Sequence, residues 1–115
     1  MNNSDMLFGL TEIELFDLIC KNNSLIVYDL RKKEDFAKGH IKKSTLIQFD
    51  EKHLIDISKK SSKIVLISNN EEQSKKMVIA LRSHNINAFY LIGGIKNWSK
   101  GFYYTNISYV GMDYP

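Results

Sequence analysis

One cysteine, one proline and two arginines in 115 residues exclude several kinds of protein at once. A lone Cys20 can form neither an internal disulfide nor a multi-cysteine metal centre. No apolar run approaches the roughly 20 residues that a membrane-spanning helix needs. The N-terminal stretch MNNSDMLFGLTEIELF lacks a basic segment ahead of an apolar core, so no secretory signal is expected and the protein is assigned to the cytoplasm. The net charge of +3 comes almost entirely from lysines scattered among acids. IKK at 41–43 and SKKSSK at 58–63 have the look of solvated loops. A nucleic-acid face would instead cluster Arg and Lys with aromatics between them, so no nucleic-acid partner is expected.

What is present is ordinary globular composition, 43% hydrophobic and 25% charged, without repeats or Pro/Gly linkers, which predicts one domain over residues 1–115. Thr11 and Glu14 form a capping box that starts a helix. Ile13, Phe16 and Cys20 then share a helical face, which predicts a packed, unreactive cysteine. SLIVYDL (24–30), STLIQF (44–49), KIVLIS (63–68) and NAFYLIGG (87–94) have the apolar, β-branched character of strands. Between them lie KKEDFAKGHI, DEKHLIDISKK with Asp50 as N-cap, a long helix over 71–84, and a short final helix in IKNWSKG. In KKEDFAKGHI, Gly39 is expected to close the helix in a left-handed conformation. Strands alternating with helices, each strand apolar on both faces, indicate an α/β fold with a covered parallel sheet. The tail FYYTNISYVGMDYP is aromatic and is expected to pack over the sheet rather than stand exposed.

The segment YDLRKKEDFAKGHIKKS resembles the rhodanese-like pattern: Asp29, Arg31, the acid–aromatic pair Asp35–Phe36, then Gly39–His40–Ile41. Downstream, LIGGIKNWSKGF is similar to that family's closing signature through Gly93, Gly94, Trp98 and Gly101. The resemblance covers about residues 5–104 and leaves 105–115 as a tail. It implies a five-stranded, mostly parallel sheet with helices on both faces. Each signature residue also has a structural role available. Asp29 and Arg31 can pair at a strand end, His40 can hydrogen-bond backbone, and Trp98, at helical distance from Ile95, can sit in the core. These residues therefore identify a scaffold, not an activity.

Sulfur-transferring members of that family resemble one another in a loop opened by cysteine, with glycine and arginine frequent inside it and serine near its close. Cysteine thiolate carries the sulfur as a persulfide, and backbone N–H groups stabilise the anion. On that pattern the segment Ser68, Asn69, Asn70, Glu71, Glu72, Gln73, Ser74 puts serine at the cysteine position, Glu71 where glycine is frequent and Gln73 where arginine is frequent. Serine cannot hold a persulfide, and its hydroxyl is not ionised without a partnered base. NEEQ (70–73) is instead a helix-start signature, with Asn70 as N-cap and two acids favouring the helix dipole. The loop is thus expected to be a vestigial active site with no catalytic residue, no metal and no cofactor. The expected role is a catalytically inactive binding or regulatory module. An acid-rimmed remnant of the pocket would suit an unknown protein or a small cationic or peptide ligand. The competing readings are a sulfurtransferase using Cys20, a hydrolase using Ser68, or an interaction protein working through its tail. Ser68 lacks the glycine-flanked elbow of a serine nucleophile.

Overall fold

A computed structural model describes residues 7–21, 24–47, 50–58 and 63–103 of the chain. The element order is β1 (Gly9–Leu10), α1 (Glu12–Lys21), β2 (Leu25–Asp29), α2 (Lys33–Lys38), β3 (Ser44–Leu46), α3 (Glu51–Ser58), β4 (Lys63–Ile67), α4 (Glu71–Arg82), β5 (Ala88–Leu91) and a 3-10 turn (Ile95–Asn97). The five strands form one sheet in the order β1-β5-β4-β2-β3, and every pairing is parallel.

Side chains alternate across a strand, so KIVLI in β4 sends residues to both faces, and both faces are buried. Val65 and Ile67 pack with Leu15 and Ile19 of α1, Val27, Leu91 and Trp98. Ile64 and Leu66 pack on the other side with Leu54 of α3, Val78 and Leu81 of α4, and Tyr90. That double burial is why the strands are apolar throughout rather than alternating. Among the described residues, no helix is long and apolar enough to cross a membrane.

Three features differ from expectation. β1 is a strand that sequence pattern did not suggest: it is two residues long and pairs Gly9 with Tyr90 and Leu10 with Leu91. In α1 the capping box forms as expected, with Thr11 N–H donating to Glu14 at 2.9 Å and Glu14 N–H donating to Thr11 at 3.2 Å. The buried face of α1, however, is Leu15 and Ile19, while Ile13 is 70% exposed, Phe16 is 40% exposed and Cys20 is exposed. On a helical wheel Leu15 and Ile19 lie mid-arc, whereas Ile13 and Cys20 lie at its edge, on the side next to the charged Asp17. Cys20 is therefore a surface thiol and not a core residue. The third difference is Gly39, whose φ of 167° is extended and not left-handed. Glycine fits there because a Cβ would come within 3.3 Å of Phe102. The tail beyond Tyr103 lies outside the described residues.

Candidate functional site

In a parallel α/β sheet the groups that follow the strands gather at the carboxyl edge. Here Asp29 closes β2 in register with Ile67 of β4, so Leu30 and Ser68 leave the two strands side by side, with Arg31 one residue further on. The backbone ties the two exits together: Leu30 N–H donates to the Ile67 carbonyl at 2.8 Å, and Ile95 N–H donates to the Ser68 carbonyl at 2.9 Å.

Asp29 is fully buried and Arg31 is 8% exposed. Arg31 Nε donates to both Asp29 oxygens, at 3.0 and 3.2 Å, and Nη2 donates to Oδ2 at 2.9 Å. Arg31 backbone N–H adds a bond to Oδ1 at 2.9 Å. Nη2 also donates to the Gly39 carbonyl at 2.7 Å and so pins the end of α2. Burying two charges is tolerable only when each has partners like these. His40 bonds the Phe36 carbonyl through Nδ1 at 2.9 Å and stacks on the Phe36 ring at 3.9 Å between centroids. Because a carbonyl only accepts, Nδ1 carries the proton. His40 thus does structural work, and its backbone pairs with Tyr103 in an antiparallel bridge.

The glycine pair shapes the floor of the same edge. Gly94 has φ of 74°, and a Cβ there would come within 2.6 Å of the Asn69 carbonyl oxygen. Only a residue without a side chain lets the segment after β5 lie this close to the loop. Trp98, 5% exposed, donates Nε1–H to the Gly101 carbonyl at 2.8 Å and packs in the core under α1.

The 68–74 loop is closed on itself. Asn70 has extended backbone and its side chain accepts from Gln73 N–H at 3.3 Å, the N-cap expected from sequence. Ser68 is completely buried. Its hydroxyl donates to the Asn70 carbonyl and accepts from Ser74 N–H at 3.2 Å. Ser74 Oγ donates back to the Glu71 carbonyl at 3.2 Å. The Glu71 carboxylate takes Gly93 N–H at 3.2 Å, while Glu72 is exposed. Two N–H groups at the start of α4 that could hold an anion are therefore taken by Asn70 and Ser68.

A family model for the rhodanese-like domain matches residues 13–101. The chain belongs to the rhodanese-like family. The family includes sulfurtransferases. Among solved structures, a rhodanese-like domain protein from Staphylococcus aureus is similar at 22% identity with a TM-score of 0.72, covering 87% of this chain and 100% of its own. A protein from Staphylococcus saprophyticus is similar at 20% identity and TM-score 0.72, covering 85% of this chain and 100% of its own. A thiosulfate sulfurtransferase from Pseudomonas aeruginosa shares 18% identity at TM-score 0.66 over 78% of this chain, but over only 17% of that chain. At these identities the likeness is one of fold. No curated protein matches the sequence.

Beside the rhodanese-like loop lies a cleft of about 310 Å³ lined by Arg31, Asp35, Lys38, Gly39, Asn69, Ile95, Lys96 and Phe102. The acid rim expected from Glu71 and Glu72 is absent from this lining, because Glu71 turns to Gly93 and Glu72 to solvent. Its charges are instead Arg31, Lys38 and Lys96 against Asp35. Asn69 is the loop residue that reaches it. Lys38, Lys96, Ile95 and Phe102 also line the cleft without belonging to any sequence signature. No local pattern marks them, since they come from separate segments that only the fold brings together.

Proposed function

We propose that this rhodanese-like domain is a binding or regulatory module that does not transfer sulfur. The observation that carries the reading is the state of Ser68: zero exposure, with its one hydroxyl proton given to Asn70 and its oxygen accepting from Ser74. A nucleophile must be reachable and must have a base within hydrogen-bond distance. Here the hydroxyl braces the start of α4, and the hydrogen it could lose points at a carbonyl that cannot accept a proton as a base. The ligand of such a module is held in the neighbouring cleft, where side chains are open, and not in the loop.

The test is sulfur transfer from thiosulfate to cyanide by the purified protein, with and without reductant. No turnover above a heat-killed control is expected. Turnover that vanished in Cys20→Ser would overturn the reading and make the exposed Cys20 a sulfur carrier. Turnover that survived Cys20→Ser and vanished in Ser68→Ala would overturn it in favour of loop chemistry.

A further inference from the structure

The described residues end at the rim of the cleft. Tyr103 and His40 exchange both backbone hydrogen bonds, at 2.8 and 2.9 Å, in an antiparallel bridge. Antiparallel partners run in opposite directions, so the carboxyl side of Tyr103 points back along His40 towards Gly39 and Lys38. Both of these line the cleft, as does Phe102 beside the bridge. The chain is thus aimed at the cleft where it leaves Tyr103. The sequence that follows, YTNISYVGMDYP over 104–115, suits that lining. From Thr105 to Tyr109 the larger side chains alternate with Asn106 and Ser108, a period that puts Ile107 and Tyr109 on one face of an extended segment. The cleft offers Ile95 and Phe102 as apolar partners. With Arg31 neutralised by Asp29, the lining still has Lys38 and Lys96 against Asp35, while residues 104–115 hold Asp113 and no basic residue, so the net charges are opposite. At about 310 Å³ the cleft is small for a ligand pocket and takes a pair of side chains. A site reached through so short a connection meets its segment at an effective concentration of about millimolar, so weak apolar contact is enough to fill it.

We propose that the segment 105–109 docks in the cleft of its own chain, with Ile107 and Tyr109 against Ile95 and Phe102, and that a ligand of the module must displace it. The proposal deepens the binding-module reading and rests on it, since it adds how access to that module's cleft is controlled. The bridge between His40 and Tyr103 gives the segment its direction, and the apolar pair gives it its anchor. The apparent affinity of any ligand for the cleft then falls by the fraction of chains in which the cleft is open.

The experiment uses the full chain with a nitroxide on Ser108→Cys, the residue between the two anchors, in a Cys20→Ser background; Cys20 is exposed and its loss is tolerable. In ¹⁵N-labelled protein the Gly39, Asn69 and Lys96 amides should lose most of their intensity and recover it when ascorbate reduces the nitroxide. The amides of Lys63 and Ala88, which open β4 and β5 at the far edge of the sheet, should keep theirs. Adding Ile107→Asp and Tyr109→Asp to the labelled chain should restore the three cleft amides. A mixture of spin-labelled chain without ¹⁵N and ¹⁵N-labelled chain without nitroxide should show no broadening. The proposal is overturned if the cleft amides stay sharp, if both edges of the sheet broaden alike, or if the two aspartates leave the broadening unchanged. Broadening of the cleft amides in the mixed sample would also overturn it, because the occupant would then be a second copy. Sharp cleft amides with sulfur transfer still absent would remove this inference alone. Sulfur transfer with the cleft amides broadened would remove the non-catalytic reading alone.

Discussion

Ser68→Cys in a Cys20→Ser background asks whether the loop differs from a sulfur-transferring one by a single atom. The substitution removes a hydroxyl that makes two hydrogen bonds in a site with no exposure. At about 0.5–1.5 kcal/mol net per bond, and with a thiol only a weak donor, the loss is about 1–3 kcal/mol. The new thiol starts from the ordinary cysteine value of about 8.5, where roughly 3% is thiolate at pH 7. Burial and the neighbouring Glu71 carboxylate both push it higher. The start of α4 pulls the other way by about 0.3–1 kcal/mol, which is less than one pKa unit at about 1.4 kcal/mol per unit. The single variant should therefore have a thiol at or above its ordinary value and almost no sulfur transfer. Adding Glu71→Gly and Gln73→Arg removes the carboxylate, frees Gly93 N–H and supplies a cation. An opposite charge within about 4–6 Å lowers a pKa by roughly 1–3 units, so thiolate rises about tenfold or more and turnover should follow. The assay is sulfur-transfer rate together with alkylation rate against pH. A single variant as active as the triple, or one whose thiol titrates below about 7, would refute the claim that the loop has been rebuilt as a helix cap.

Other expectations follow from the scaffold. Asp29→Ala leaves Arg31 buried without its counter-ion and should cost about 3–5 kcal/mol in urea unfolding; a loss below about 1 kcal/mol would mean that Arg31 escapes to water. Gly94→Ala and Gly101→Ala both place a side chain at positive φ, but only Gly94 faces a backbone atom, the Asn69 oxygen. The Gly94 variant should be less stable than the Gly101 variant by about 1–3 kcal/mol and should shift the Asn69 and Asn70 amides; equal stabilities would show that the loop yields easily. Burial raises the Tyr28 phenol above its ordinary 10.0, so its contribution to stability is complete below pH 10 and is lost as pH rises through the folded value. Tyr28→Phe should flatten the alkaline fall in stability, and an identical pH profile in the variant would contradict that assignment.

Much of this was legible in the sequence because the determinants are local. Asp29 and Arg31 are two residues apart, so the strand end that presents one presents the other. Asn70 caps Gln73 within one turn, and Thr11 and Glu14 do the same for α1. The misses come from contacts that span the chain. β1 is too short to show a period, and it becomes a strand only because β5 offers Tyr90 and Leu91 as partners. Cys20 sits at the margin of an apolar arc, and the packing of Leu15 and Ile19 on β4 decided which residues turned inward. Gly39 is a glycine because Phe102, sixty-three residues away, lies on it.

The same distinction explains why the charge of the cleft could not be inferred from the loop. Glu71 and Glu72 are adjacent to Ser68 in sequence, which suggested an acidic pocket. Helix geometry turns successive residues about 100° apart, so two neighbouring acids at the start of α4 point in different directions. One folds back to the Gly93 amide and the other points to solvent. The lysines that do line the cleft arrive from α2 and from the turn after the glycine pair, and Gly94 brings that turn against Asn69. The signature glycines therefore have a consequence beyond stability. They carry Lys96 and Ile95 to the mouth of the loop, so the elements that make the family scaffold also set the lining of the cleft.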